Sequence, residues 1–90
     1  MLINTSRGGI VTERDLADAL RKGVIAGAAI DTLSIEPPPP EHVLLAPDIP
    51  NLIVTPHNAW ASRTARQAAM DQVAKVITAF VAGFVINRVV

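Results

Sequence analysis

The sequence predicts an α/β fold, a small parallel sheet of three short strands with a long C-terminal helix. Apolar runs at residues 2–4, 24–30 and 52–55 are separated first by a helical segment and then by a proline-rich loop. The second run is continuous rather than alternating, as in strands that helices cover on both faces. The order strand, helix, strand, loop, strand, long helix is that of a sheet built on a βαβ unit.

The elements follow from local chemistry. Leu2-Ile3-Asn4 leads into Thr5-Ser6-Arg7-Gly8-Gly9, a turn that marks the end of a strand. Thr12-Glu13-Arg14-Asp15 has the spacing of a capping box, with the Thr12 hydroxyl placed to accept from the Asp15 amide. Leu16, Ala19 and Leu20 recur at helical spacing and Gly23 follows as a stop, so a helix is expected over roughly residues 12–22. Proline lacks an amide donor and restricts its predecessor, so Glu36-Pro37-Pro38-Pro39-Pro40 is an extended loop. His42 to Ala46 has room for one helical turn before Pro47, and Pro56-His57 closes the third strand. Ser62 is a fitting N-cap. After it Ala65, Ala69, Val73, Val76, Ile77 and Phe80 keep the helical period up to Gly83.

Composition bounds the rest. A chain of 90 residues buries only roughly 60–65% of its unfolded surface, so its own core is marginal. There is no Cys, which excludes a disulfide scaffold and a thiolate metal site and is compatible with a reducing cytoplasm. Eight basic and eight acidic residues cancel without a block of either sign, so the footprint of a nucleic-acid partner is missing. The N-terminus lacks the pattern of a signal peptide, and the longest apolar run falls short of a membrane span.

Arg7, Glu36 and His57 each fall just past a strand, and ligands of open parallel sheets bind outside the carboxyl ends of the strands. Singly, each has a bland reading: a solvated turn arginine, a solubilising glutamate, a capping histidine. Their shared location favours a site. A guanidinium matches a carboxylate as a planar fork, so Arg7 could orient a small organic acid and polarise its carbonyl. His57 could pass a proton to or from that oxygen, with Glu36 fixing its tautomer. The hydride of such a reaction has to come from a cofactor.

Ile3-Asn4-Thr5-Ser6-Arg7-Gly8-Gly9-Ile10-Val11, Gly27-Ala28-Ala29-Ile30-Asp31 with Glu36-Pro37, and Thr55-Pro56-His57 together resemble the three C-terminal signatures of the NAD(P)-dependent D-isomer-specific 2-hydroxyacid dehydrogenases. His57-Asn58-Ala59-Trp60-Ala61-Ser62 and Asn87-Arg88-Val89 look most like the glycerate dehydrogenase or hydroxypyruvate reductase branch. The resemblance implies part of a Rossmann-type sheet, with residues 1–61 the C-terminal half of a dinucleotide-binding domain and residues 62–90 a helix and tail that pack on a substrate domain. It implies catalytic roles for Arg7, Glu36 and His57, and a nicotinamide pocket of NAD or NADP lined by Thr5, Ser6, Arg7, Asp31, His57 and Ala59. The substrate would be a small 2-oxo or 2-hydroxy acid. Composition suits the cytoplasm, and the helix face carrying Val73, Val76, Ile77 and Phe80, without its substrate domain, predicts self-association as a homodimer.

Three departures stand out. The glycine-rich dinucleotide fingerprint is not in this sequence, Thr32 stands where the family has Val, and Gly83-Phe84-Val85 replaces a Gly-Lys-Pro turn. The 90-residue chain alone is therefore expected to be inactive, and the rival reading is a non-catalytic remnant that serves as an interaction or oligomerisation module.

Overall fold

The computed structural model describes residues 1–89; Val90, the end of the expected C-terminal segment, lies outside the described residues. The chain divides into two compact units, Met1–Asn58 and Ala59–Val90.

The first unit holds three parallel strands, β1 (Leu2–Asn4), β2 (Ala28–Ile30) and β3 (Leu52–Val54), in the order β1-β2-β3. Helix α1 (Glu13–Arg21) connects β1 to β2, and a short 3-10 turn at Val43–Leu45 lies between β2 and β3. The register is Leu2 with Ala28 with Leu52, then Ile3 with Ala29 with Ile53, then Asn4 with Ile30 with Val54. Because strand side chains alternate between faces, the first and third rows share one face. Leu16, Ala17 and Leu20 of α1, Ala28 and Ile30 of β2, Leu33 and Leu44 form the core. Leu2, Leu52 and Val54 pack against it.

The middle row corrects one expectation. Ile3 and Ile53 are 62% and 63% exposed, so among the described residues this small sheet is covered on one face rather than two. The continuous apolar character of residues 24–30 had also suggested a strand across the whole run, but pairing begins only at Ala28. Gly23, at φ 65°, ends α1 in a Schellman motif: its N–H donates to the Leu20 carbonyl and the Val24 N–H to the Ala19 carbonyl. The chain thus belongs to the helix cap as far as Val24, and Ile25 then packs on the core. At the other end of α1 the expected Thr12 cap does not form. The first turn is tethered instead through Glu13, whose carboxylate accepts from the Ser34 N–H and hydroxyl. Arg21 of the last turn donates two hydrogen bonds to Asp48, at 2.7 and 3.0 Å, tying the helix to the segment before β3.

The second unit is carried by α2 (Arg63–Val81), started as expected by Ser62, whose hydroxyl accepts from the Ala65 N–H at 3.0 Å. Its C-terminus repeats the cap of α1: the Gly83 N–H donates to Phe80 and the Phe84 N–H to Ala79. The departure at Gly83-Phe84 is therefore compatible with a clean helix stop, since only the Phe84 amide is used. Val73, Ile77 and Phe80 are exposed. No helix among the described residues is long and apolar enough to cross a membrane.

Thr32 is 1% exposed and its hydroxyl has no hydrogen-bond partner among the described residues. Burying an unsatisfied hydroxyl costs on the order of 1–3 kcal/mol, whereas an apolar group of the same shape carries no such penalty. Thr32→Val is expected to stabilise the chain by about 1 kcal/mol, read as a higher urea midpoint at unchanged m-value; a lower midpoint would show that the hydroxyl is satisfied in solution.

Candidate active site

Each candidate residue follows a strand, and the turn chemistry explains how it is held. Asn4, buried at the end of β1, folds the next turn around its amide: Oδ1 accepts from the Ser6 N–H at 3.1 Å and Nδ2 donates to the Arg7 carbonyl at 2.9 Å. Thr5, Ser6 and Arg7 are exposed on this turn, and the Arg7 guanidinium donates to the Ser6 carbonyl at 2.8 Å. Gly8 then passes so close to the backbone after β2 that a Cβ there would lie 2.1 Å from the Leu33 carbonyl oxygen and 2.4 Å from the Ser34 nitrogen.

After β2, Asp31 is 4% exposed. Its Oδ1 accepts from the Thr55 hydroxyl at 2.5 Å and the Asn58 N–H at 3.0 Å, so this carboxylate fixes the turn that follows β3. Glu36 folds back on its own loop and takes the Leu33 N–H on Oε1 at 2.9 Å. Its other oxygen, Oε2, lies 2.7 Å from His57 Nδ1.

His57 adopts φ 50°, a left-handed conformation unusual for a residue with a side chain. The turn that produces it is closed by the His57 N–H donating to the Thr55 carbonyl across Pro56. A backbone of this kind costs about 1–2 kcal/mol and persists only where the surroundings over-determine it. Here the Asp31 bonds to Thr55 and Asn58 supply that constraint on either side.

The electrostatics are consistent with an ionised glutamate. The hydrogen bond from His57, then the one from the Leu33 amide, hold the Glu36 carboxyl below the ordinary carboxylate value, against smaller opposing pushes from partial desolvation and then from the Asp31 charge. An ionised carboxylate only accepts, so His57 Nδ1 carries the hydrogen of this bond. In the neutral ring Nε2 is then the nitrogen with the lone pair, the tautomer a general base requires.

Glu36 and His57 line a cavity of about 590 Å³ together with Leu33, Pro37, Leu45 and Val54. The structure thus brings two of the three expected catalytic residues into contact. Arg7 is not among the residues lining this cavity, and its guanidinium rests on its own turn. Ala59, which begins the second unit, is exposed. Three contributors were missed in the sequence: Asn4, Thr55 and the Glu13–Ser34 tether. Asn at the end of a strand before a turn is a recognisable signal for the first, whereas the other two join positions far apart in the chain.

The sequence pattern of the D-isomer specific 2-hydroxyacid dehydrogenase NAD binding domain matches residues 1–59. A glycerate dehydrogenase of Methylorubrum extorquens is 52% identical over 83 residues, covering 92% of this chain and 26% of that protein. A hydroxypyruvate reductase of Blautia hydrogenotrophica is 37% identical over 89 residues, covering 99% of this chain and 27% of that protein. The chain thus spans about a quarter of the length of the curated relatives it matches. Among solved structures, a D-isomer specific 2-hydroxyacid dehydrogenase of Xanthobacter autotrophicus in complex with NADPH and MES superposes with a TM-score of 0.64 at 40% identity, over 98% of this chain and 35% of that one. An NADPH-dependent glyoxylate/hydroxypyruvate reductase of Sinorhizobium meliloti in complex with NADP and sulfate gives 0.60 at 36% identity, over 99% and 27%. Three parallel strands that end in an arginine turn, a buried aspartate and a glutamate-held histidine, together with these likenesses, show that the chain belongs to the D-isomer specific 2-hydroxyacid dehydrogenase family, in its NAD binding domain.

Proposed function

We propose that the chain works as the C-terminal half of the nucleotide-binding domain of an oxidoreductase that moves a hydride between NAD(P)H and a small 2-oxo or 2-hydroxy acid such as hydroxypyruvate or glyoxylate. The observation that carries this reading is the 2.7 Å contact between His57 Nδ1 and Glu36 Oε2. It fixes the ring so that Nε2 is the atom that exchanges a proton with substrate. In the reducing direction the carbonyl carbon gains a hydride while its oxygen takes the proton from His57 Nε2, and the product is the hydroxy acid. Glu36 stays ionised and opposes the positive charge on the ring whenever His57 holds both protons. The Arg7 guanidinium leaves the Ser6 carbonyl to grip the substrate carboxylate with its two parallel donors.

The residues present suit the nicotinamide end of the cofactor. Thr5 and Ser6 are exposed at the carboxyl end of β1 and Asp31 lies buried at the end of β2; Ala59, two residues after His57, is the remaining member of the proposed set. When bound there, the dinucleotide supplies the hydride. No Gly-x-Gly-x-x-Gly stretch occurs in this sequence, and a helix N-terminus with such a loop normally grips the pyrophosphate. The proposal includes a cytoplasmic homodimer. The cysteine-free composition suits a reducing compartment, and the exposed Val73, Ile77 and Phe80 on α2 supply apolar surface for association.

In the polypeptide that carries this chain in its natural reading frame, His57→Ala should lower kcat by roughly 10²–10⁴, while Arg7→Ala should act chiefly on KM for the acid. Equal effects of the two changes on both constants would sink the division of roles. The 90-residue chain by itself should give no heat of NADH binding in titration calorimetry, and a micromolar dissociation constant would show that the pyrophosphate cradle is dispensable. The Glu36 carboxyl titrates below its ordinary value of 4.5, so its bond to His57 is present at neutral pH and is lost only as pH falls through that lowered value. Carboxyl carbon NMR should show the Glu36 titration moving up toward 4.5 in His57→Ala.

A further inference from the structure

Glu13 has no part in the chemistry described so far, yet it sits in a dense set of hydrogen bonds. Its Oε1 accepts from the Ser34 N–H at 2.7 Å, and its Oε2 accepts from the Ser34 hydroxyl at 2.7 Å and lies 3.0 Å from His42 Nε2. The Glu13 and His42 side chains are only 16% and 7% exposed. His42 Nδ1 accepts from the Leu44 N–H at 3.2 Å, so the ring proton is on Nε2 and points at Glu13. Hydrogen bonds to an ionised carboxylate are roughly twice as strong as neutral ones. Burial pushes the Glu13 carboxyl up, but the Ser34 and His42 bonds outweigh it and hold the group below its ordinary value.

The backbone that Glu13 holds is the one that holds Glu36. Two successive amides, Leu33 and Ser34, donate to two different carboxylates, Glu36 and Glu13. The Leu33–Ser34 peptide unit is also closely approached by Gly8, where a Cβ would lie 2.1 Å from the Leu33 carbonyl oxygen. It has little freedom as long as Glu13 stays in place.

Resting on the reading of Glu36 and His57 as the acid-base pair, we propose that Glu13 is a positioning residue: with Ser34 and His42 it clamps the Leu33–Ser34 backbone and so keeps Glu36 at hydrogen-bonding distance from His57. It touches neither substrate nor cofactor. It acts through the geometry of the Glu36 carboxylate.

The test uses the polypeptide that carries this chain in its natural reading frame, with kcat and KM for hydroxypyruvate measured beside the NMR signal of the His57 Nδ1 proton. Misplacing a catalytic group by about 1 Å can cost a hundredfold in rate, so Glu13→Ala should lower kcat by roughly tenfold to a hundredfold with KM unchanged. The downfield Nδ1 proton should weaken or vanish. Glu13→Gln keeps an acceptor for the Ser34 amide and should recover most of both signals. Wild-type kcat in Glu13→Ala, or a lowered kcat with the Nδ1 proton undisturbed, would overturn the proposal. Should Glu13→Ala fail to fold, Ser34→Ala removes one hydroxyl donor alone and should lower kcat a few-fold with the same change at Nδ1; no change at Nδ1 in Ser34→Ala would overturn it equally. A wild-type polypeptide that transfers no hydride would remove the functional reading, while the Nδ1 proton would still report whether Glu13 governs the contact.

Discussion

A carboxylate can hold an imidazole in one tautomer only if the carboxylate is itself held. In this chain that requirement falls on the backbone just past β2, where Glu36 is anchored by the Leu33 amide and Ser34 by Glu13. The sheet contributes by ending β2 and β3 side by side: the Asp31 N–H bonds to Asn4 and the Thr55 N–H to Ile30, extending the ladder one step past each strand. From that edge Asp31 reaches across to Thr55 and Asn58 and sets the turn on which His57 stands. Two carboxylates therefore organise the site from opposite sides, Glu36 on the imidazole ring and Asp31 on the backbone that presents it.

The fold was legible where the signal was local. Gly23 after Arg21-Lys22 and Ser62 before Arg63 mark helix ends that the structure places at those positions, because capping depends on a few consecutive residues. The order of elements gave the parallel sheet for the same reason. Misreadings occurred where distant residues compete for a local group. Thr12 has a capping-box neighbourhood, but Glu13 is engaged by Ser34 and His42 from the loop after β2, and no reading of residues 12–15 reveals that. The run from Val24 to Ile30 is apolar throughout, yet its first residue is taken by the helix cap. Of the site, the positions of Glu36 and His57 after their strands were legible. Their pairing was expected too; what was not legible is the anchoring of Glu36 by the Leu33 amide, since it depends on how the proline loop folds back on itself.

The sheet itself is a thin scaffold. Its central strand offers Ala28, Ala29 and Ile30, and one helix and one short turn cover a single face. Ala28 and Ile30 share their core with Leu16, Ala17 and Leu20 of α1. The polar ties at the rim carry much of the specificity: Arg21 to Asp48, Glu13 to Ser34 and His42, and Asp31 to Thr55. Each joins segments 21 to 29 residues apart in sequence.

The left-handed backbone of His57 places evolutionary pressures in opposition. The chain meets the same conformation at positions 51 and 87 with asparagine, a residue that tolerates it well. At position 57 a selection for stability alone would favour asparagine or glycine for the backbone's sake. Under the proposed role, histidine there is a conformational compromise kept for its ring, and lineages released from that role would be free to drift away from it. If the proposed role holds, the identity of residue 57 in descendants of this sequence is a record of whether the ring was still under selection.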